Sequence, residues 1–167
     1  MLLTETTAVL PLCDVNASIT ASGELNSVNM ALYDHATFII HFASTLAFGV
    51  GASAPIISIE SATSDAGDTA DVTFHYKVST ASGATLSSAM TYGADNTSSA
   101  LSNATAADWA GHTLILEVDA DELRSSSLGK VYNWLTVDFT NATVGTIAAY
   151  AILSNPRYAG ASMPIAI

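Results

Sequence analysis

Three strand-like runs follow one another in the last third of the chain, at residues 112–120, 131–139 and 146–153. The run at 131–139 is the clearest of the three. A period of two places Val131, Leu135, Val137 and Phe139 on one face and Tyr132, Trp134, Thr136 and Asp138 on the other. This period, with β-branched and aromatic enrichment, is typical of half-buried antiparallel strands.

Earlier segments predict further strands. Residues 36–42 (ATFIIHF) are apolar on both faces, which indicates a central strand covered on each side, with His41 as a hydrogen-bonded core or interface residue. Residues 55–61 and 72–78 predict two more strands, and residues 84–92 a weaker one. The alternation predicts a buried set that comprises Phe74, Tyr76, Leu116, Val118, Leu135, Val137 and Phe139.

The segments between these runs carry turn and loop signals. Residues 63–71 predict a turn, residues 93–109 a loop or short helix, and residues 119–128 a helical turn or loop. Many short strands joined by turns favour an all-β fold, an antiparallel β-sandwich or jelly roll. We expect an extended N-terminal arm at residues 1–30, packed on a neighbour or along its own sheet, and a single sandwich domain at residues 31–167.

Charge and composition restrict the range of possible functions. Fifteen acidic residues oppose four basic ones, a net charge of −11, so contact with a phosphate backbone would be repulsive and no nucleic-acid partner is expected. Only 11% of the residues are charged, which favours assembly because few charges must lose their hydration. Cys13 is the sole cysteine in the sequence. The first residues do not resemble a signal peptide, and no apolar run suits a membrane span. We therefore expect assembly in a reducing cytosol.

Reactive groups form no recognisable catalytic pattern. Asp65, Asp68 and Asp71 lie in one loop, where calcium is the alternative to a solvated turn, and the solvated turn is favoured. The group Asp119, Asp121 and Glu122 is expected to cap a turn, with a metal site as the disfavoured alternative. The four histidines show no ligand spacing, and the nucleophile-elbow and phosphate-loop motifs are missing from the sequence. We therefore expect no catalytic residues, no metal, no cofactor and no enzyme activity.

Aromatic residues leave one alternative open. Tyr132 and Trp134 share a strand face, where core filling is favoured, ahead of a subunit interface and then a carbohydrate platform that would also use Trp109.

Three stretches carry a family resemblance: VNMALYDHATFIIHF at residues 28–42, LILEVDADEL at 114–123, and the run from 131 to 160 that ends in PRYAG. In their order they resemble small β-sandwich structural proteins of tailed bacteriophage virions, of the head decoration or cement type. The resemblance implies a subunit on the outer surface of the head, assembled in the host cytoplasm. It further implies binding to the major capsid protein or other virion subunits and self-association, with a trimer matching the local threefold positions. The family offers no catalytic residues to transfer.

We expect both ends of the chain to contact other subunits. The apolar terminus at 163–167 favours docking, since a free apolar tail would stay solvated. The candidate interface residues are Leu10, Leu12, Pro156, Arg157, Tyr158, Met163, Ile165 and Ile167. Two alternatives stay open: a head–tail or tail-associated component, including the base of a head spike, and a carbohydrate-binding β-sandwich module.

Overall fold

Antiparallel β-strands make up the regular structure of this chain. A computed structural model describes residues 7–14, 17–44, 56–65, 69–79, 96–102, 109–123 and 132–157. Its strands are β1 (Ala8–Pro11), β2 (Ala17–Glu24), β3 (Val28–Asn29), β4 (Tyr33–Phe42), β5 (Ile56–Ala62), β6 (Thr69–Asp71), β7 (Phe74–Val78), β8 (Asn96–Ser98), β9 (Ala100–Ser102), β10 (Thr113–Asp119) and β11 (Trp134–Pro156). They form two antiparallel sheets in a sandwich-like arrangement, which confirms the predicted all-β class. Within the described ranges, no helix has the length and apolarity needed to cross a membrane.

The two sheets share one long strand. The first half of β11, residues 134–140, pairs with β5, which carries β6 and β9 on its far edge. The second half, residues 147–156, pairs with β4, and the sheet continues through β10 and β7 to β8. We call these the first and second sheets. Because β11 belongs to both, it fixes how the two layers lie on one another.

The N-terminal strands line the opposite edge of β11. β1 pairs with residues 150–153, β2 with residues 138–147 and β3 with residues 134–135. The segment predicted as an arm thus runs, over its described residues, along a strand of its own chain. Its boundary at residue 30 and its contacts with other subunits stay predictions.

The prediction of two separate strands at 131–139 and 146–153 was wrong. The structure has one continuous strand, because β2 pairs with it across the segment between the two predicted strands. The pairing contains two register shifts, between Thr140 and Ala142 and between Ala142 and Gly145. Bulges of this kind bend a strand without ending it, and they allow one strand to pass from one sheet to the next.

Ring contacts join the two layers in the core. Phe42 of the second sheet packs against Phe139 of the first, with centroids 6.5 Å apart in an edge-on geometry. Phe42 also contacts Trp109, at 5.4 Å, and Trp109 is only 2% exposed. The predicted buried set is confirmed for Phe74, Leu116, Val118, Leu135, Val137 and Phe139, while Tyr76 is only half-buried.

Short strands replace two of the predicted loops. β6 lies inside the predicted turn at 63–71, where it pairs with β5, and β8 and β9 lie inside the predicted loop or helix at 93–109. Each of these short strands is held by backbone hydrogen bonds to a partner strand. Local turn signals carry no information on such pairing. The predicted strand at 84–92 lies outside the described residues.

Leu135 anchors the shared strand in the core. Its side chain is fully buried, so Leu135→Ala should leave a cavity and lower the free energy of unfolding by about 2–5 kcal/mol. Denaturant unfolding of the purified protein measures this loss. Val9→Ala is the matched control, because Val9 is 49% exposed and its truncation should change stability by roughly 0.5 kcal/mol or less. Near-wild-type stability of Leu135→Ala would contradict the register of β11.

Candidate functional site

The outward face of the second sheet carries a row of apolar side chains. The strand registers align Pro11, Tyr150, Ile39 and Ile115 across the adjacent strands β1, β11, β4 and β10. In the next row Val9 lies opposite Ile152. We call these six residues the apolar band.

Water reaches much of this band. Val9 and Tyr150 are 49% and 43% exposed and are the exposed large hydrophobic residues among the described positions. Pro11 is also exposed, and Ile39, Ile115 and Ile152 are half-buried. Scattered apolar side chains are ordinary on a protein surface, but a contiguous patch indicates an interaction site. The band is therefore the feature of the described surface best suited to binding.

Carboxylates border the band at one end of the sheet. Asp119 and Asp34 are the more exposed, with side chains 58% and 57% accessible, followed by Glu117 at 40% and Glu122 at 23%. We call these four residues the acidic margin. Glu117 lies next to Thr37 in the ladder, in the same row as Ile152, so the margin is continuous with the apolar band.

Two histidines lie among the carboxylates. His35 Nδ1 is 2.6 Å from Asp119 Oδ1, and its Nε2 is 3.2 Å from Thr37 Oγ1 and 3.6 Å from Glu117 Oε1. His75 Nε2 lies 3.9 Å from Glu122 Oε1. These contacts tie β4, β10 and β7 together through side chains. Within the described ranges, no group of three or more His, Cys, Asp or Glu residues is arranged to hold a metal ion.

The turn after β10 has the structural role expected from its sequence. The Asp119 amide donates to Glu122 Oε2 at 2.9 Å, and the Glu122 amide donates to the Asp119 carbonyl at 3.0 Å. Of the other acidic group, Asp65 and Asp71 are exposed and Asp68 lies outside the described residues. The predictions about calcium at that loop therefore stay predictions.

A groove opens beside β1 and β3. It has a volume of about 260 Å³ and is lined by Leu10, Pro11, Leu12, Asn26, Ser27, Val28, Asn29 and Trp134. Trp134 is half-buried there, so its ring is a wall of the groove. Trp109 lies in the core instead, which removes it from the carbohydrate platform that the sequence left open.

The predicted interface residues fall in different places. Leu10 is half-buried in the groove, whereas Leu12 is 1% exposed and packs in the core of its own chain. Leu12 therefore offers no side-chain surface to a partner, which corrects its prediction as an interface residue. The physical reason is that successive side chains point to opposite sides of the backbone, so Pro11 faces water and Leu12 faces the core. Arg157 Nε donates to Asp34 Oδ1 at 2.7 Å, and Pro156 ends β11 opposite Tyr33. Tyr158, Met163, Ile165 and Ile167 lie outside the described residues.

Sequence reasoning missed most of the apolar band. The prediction that residues 36–42 form a strand covered on both sides is wrong for the outward face, where Ile39 is half-buried and His41 is exposed. His41 keeps the predicted hydrogen bond, with Nδ1 3.0 Å from Thr113 Oγ1, but it lies outside the core. Apolar residues on both faces of residues 36–42 also fit a strand whose second face is uncovered, and this is the sequence signal for the band.

Comparison with known proteins adds no family assignment. No protein-family model matches the chain, and no curated protein matches it. Among solved structures, the SPBc2 prophage-derived protein YomS aligns over 89% of this chain and 93% of its own, with a TM-score of 0.47 and 10% identity. Identity at this level does not assign a function.

Cys13 provides a chemical probe of the segment beside the groove. Burial raises the pKa of its thiol, with a further increase from the nearby Asp14 carboxylate and an opposing effect of a backbone hydrogen bond with Ala149. At a given mildly alkaline pH less of the reactive thiolate is therefore present in the folded chain than in the unfolded one. Iodoacetamide should label Cys13 more slowly in buffer than in urea at the same pH. Equal rates would contradict the packing of this segment.

Proposed function

We propose that this chain is a structural virion protein of a tailed phage, a decoration or cement protein that binds the outer surface of the head and stabilises it. The single observation that carries the proposal is the exposed apolar band on the outward face of the second sheet. A partner that covers such a face stabilises the complex by roughly 25 cal/mol for each Å² of apolar surface removed from water. The resemblance of residues 28–42, 114–123 and 131–160 to virion proteins supports the same assignment.

The chemistry of the chain supports a binding role. A net charge of −11 would repel packaged nucleic acid, so a position on the outside of a head is electrostatically favourable. Its proposed partners are the major capsid protein or other virion subunits, and the proposed action needs neither catalysis nor a cofactor. Self-association as a trimer, through segments at the two ends of the chain, completes the proposal.

The groove favours a second candidate function, carbohydrate binding. Trp134 supplies an aromatic wall, and Asn26, Ser27 and Asn29 supply amide and hydroxyl groups beside it. Aromatic rings with neighbouring polar groups suit a sugar, whose faces are apolar and whose edges form hydrogen bonds. This candidate shares only Pro11 with the apolar band, and Trp134 lies outside the band, so Trp134→Ala tests it separately.

Copy number in purified particles tests the main proposal. Quantitative mass spectrometry of virions of the phage that encodes this chain should find it at a level comparable with the major capsid protein. A decoration protein occupies sites that repeat over the whole shell, which explains this expectation.

A level far below that of the capsid protein would contradict the cement role and favour the head–tail or spike-base alternative. Absence of the chain from the particles would contradict every virion role. Absence combined with glycan-array binding that is lost in Trp134→Ala would support the carbohydrate candidate.

A further inference from the structure

We propose that the apolar band and the acidic margin together dock a different protein, whose own apolar strip is bordered by lysine and arginine side chains. This inference rests on the proposed function and specifies the partner surface, which is a basic-edged face on the shell of the head. A second copy of this chain is a less favourable partner for the same face, because each copy is acidic.

The apolar band provides the centre of the contact. Its main row spans four neighbouring strands, roughly 14 Å at about 4.8 Å between strands, and its side chains stand on one face of the sheet. Stable interfaces bury about 800 Å² on each partner, with an apolar centre and a polar rim. The band is small enough to be such a centre, and the ladder around it supplies Thr37 and His41 as polar neighbours.

The acidic margin determines the charge of the partner. Asp119 and Glu117 remain 58% and 40% accessible, although His35 contacts both. Asp34 is bound to Arg157 and is still 57% accessible. A partner that covers the band brings its own edge within a few ångströms of these carboxylates, well inside the screening length of about 8 Å at physiological salt. Basic side chains there gain attraction, whereas acidic ones are repelled.

Charge disfavours a second copy on this face, because the four carboxylates of the margin outnumber the two described cations near it. In a twofold contact the same patch meets itself, so the patch would need its own cations to face the margin. The lysine and arginine that the structure describes near this face are Lys77, at the β7 end of the main row, and Arg157, already bound to Asp34. Each copy also carries a net charge of −11. Contacts between copies are therefore expected at chain-end residues outside the band, such as Leu10 and Pro156.

Head binding by matched variants tests the inference. Heads purified from phage that lack this chain are mixed with the full-length protein, and co-sedimentation gives an apparent Kd at low and at physiological salt. Glu117→Lys places a cation in the margin, and Tyr150→Ala removes a central side chain of the band. Asp71→Lys is the control, because Asp71 is exposed on β6 of the first sheet and its replacement changes the net charge equally.

We expect Glu117→Lys to weaken binding about tenfold at low salt and less at physiological salt, because screening reduces the repulsion. Tyr150→Ala should weaken binding about tenfold at both salt concentrations, as for a central aromatic side chain. Asp71→Lys should stay within about twofold of wild type. Circular dichroism confirms that each variant is folded, and Glu117→Gln, with a smaller loss, replaces Glu117→Lys where that variant does not fold.

The possible failures separate the two proposals. Wild-type protein that does not bind heads overturns the proposed function and this inference with it. Wild-type protein that binds, with Glu117→Lys and Tyr150→Ala equal to the Asp71→Lys control, overturns the inference alone. Tyr150→Ala that dissociates an oligomer in sedimentation velocity while it keeps head binding also overturns the inference, since the band would then join copies of this chain.

Discussion

A single strand that belongs to both sheets is the constraint on which the rest of this fold depends. β11 pairs with β5 over its first half and with β4 over its second, and the three N-terminal strands follow its other edge. The two layers cannot shift relative to each other without breaking one of these ladders. Packing of Phe42 against Phe139 then closes the core between them. Pairing therefore sets the geometry, and apolar burial stabilises it.

The exposed face follows from the same arrangement. β4 and β10 turn Phe38, Ile40 and Leu116 into the core, so alternation sends Ile39 and Ile115 outward. The register of β11 and β1 then places Tyr150 and Pro11 in the same row. A binding surface of this kind needs no loop, cavity or reactive group. Its position depends on ladder registers, so the free chain already holds these side chains in neighbouring rows.

Strand faces could be predicted from the sequence more reliably than strand partners. The inward positions Leu135, Val137 and Phe139 followed from a period of two, which is a local property. The continuity of β11 through Thr140 and Gly145 did not, because it depends on pairing with β2, more than a hundred residues earlier. For the candidate site, residues 36–42 are apolar on both faces, and this pattern carries no information on whether another layer covers Ile39. Leu10, which was predicted as an interface residue, lines the groove. Tyr150 and Ile115 were not predicted, because their place in the band depends on strand registers that the sequence does not give.

Native-state hydrogen exchange of β11 tests the shared-strand account most directly. If β11 unites the two sheets, slow amides in residues 134–140 and in residues 147–156 should open with the same free energy, close to that of global unfolding. Both halves should also lose the same protection when Leu135→Ala lowers global stability. One half opening at a free energy several kcal/mol below the other would show two independent layers and would contradict the account.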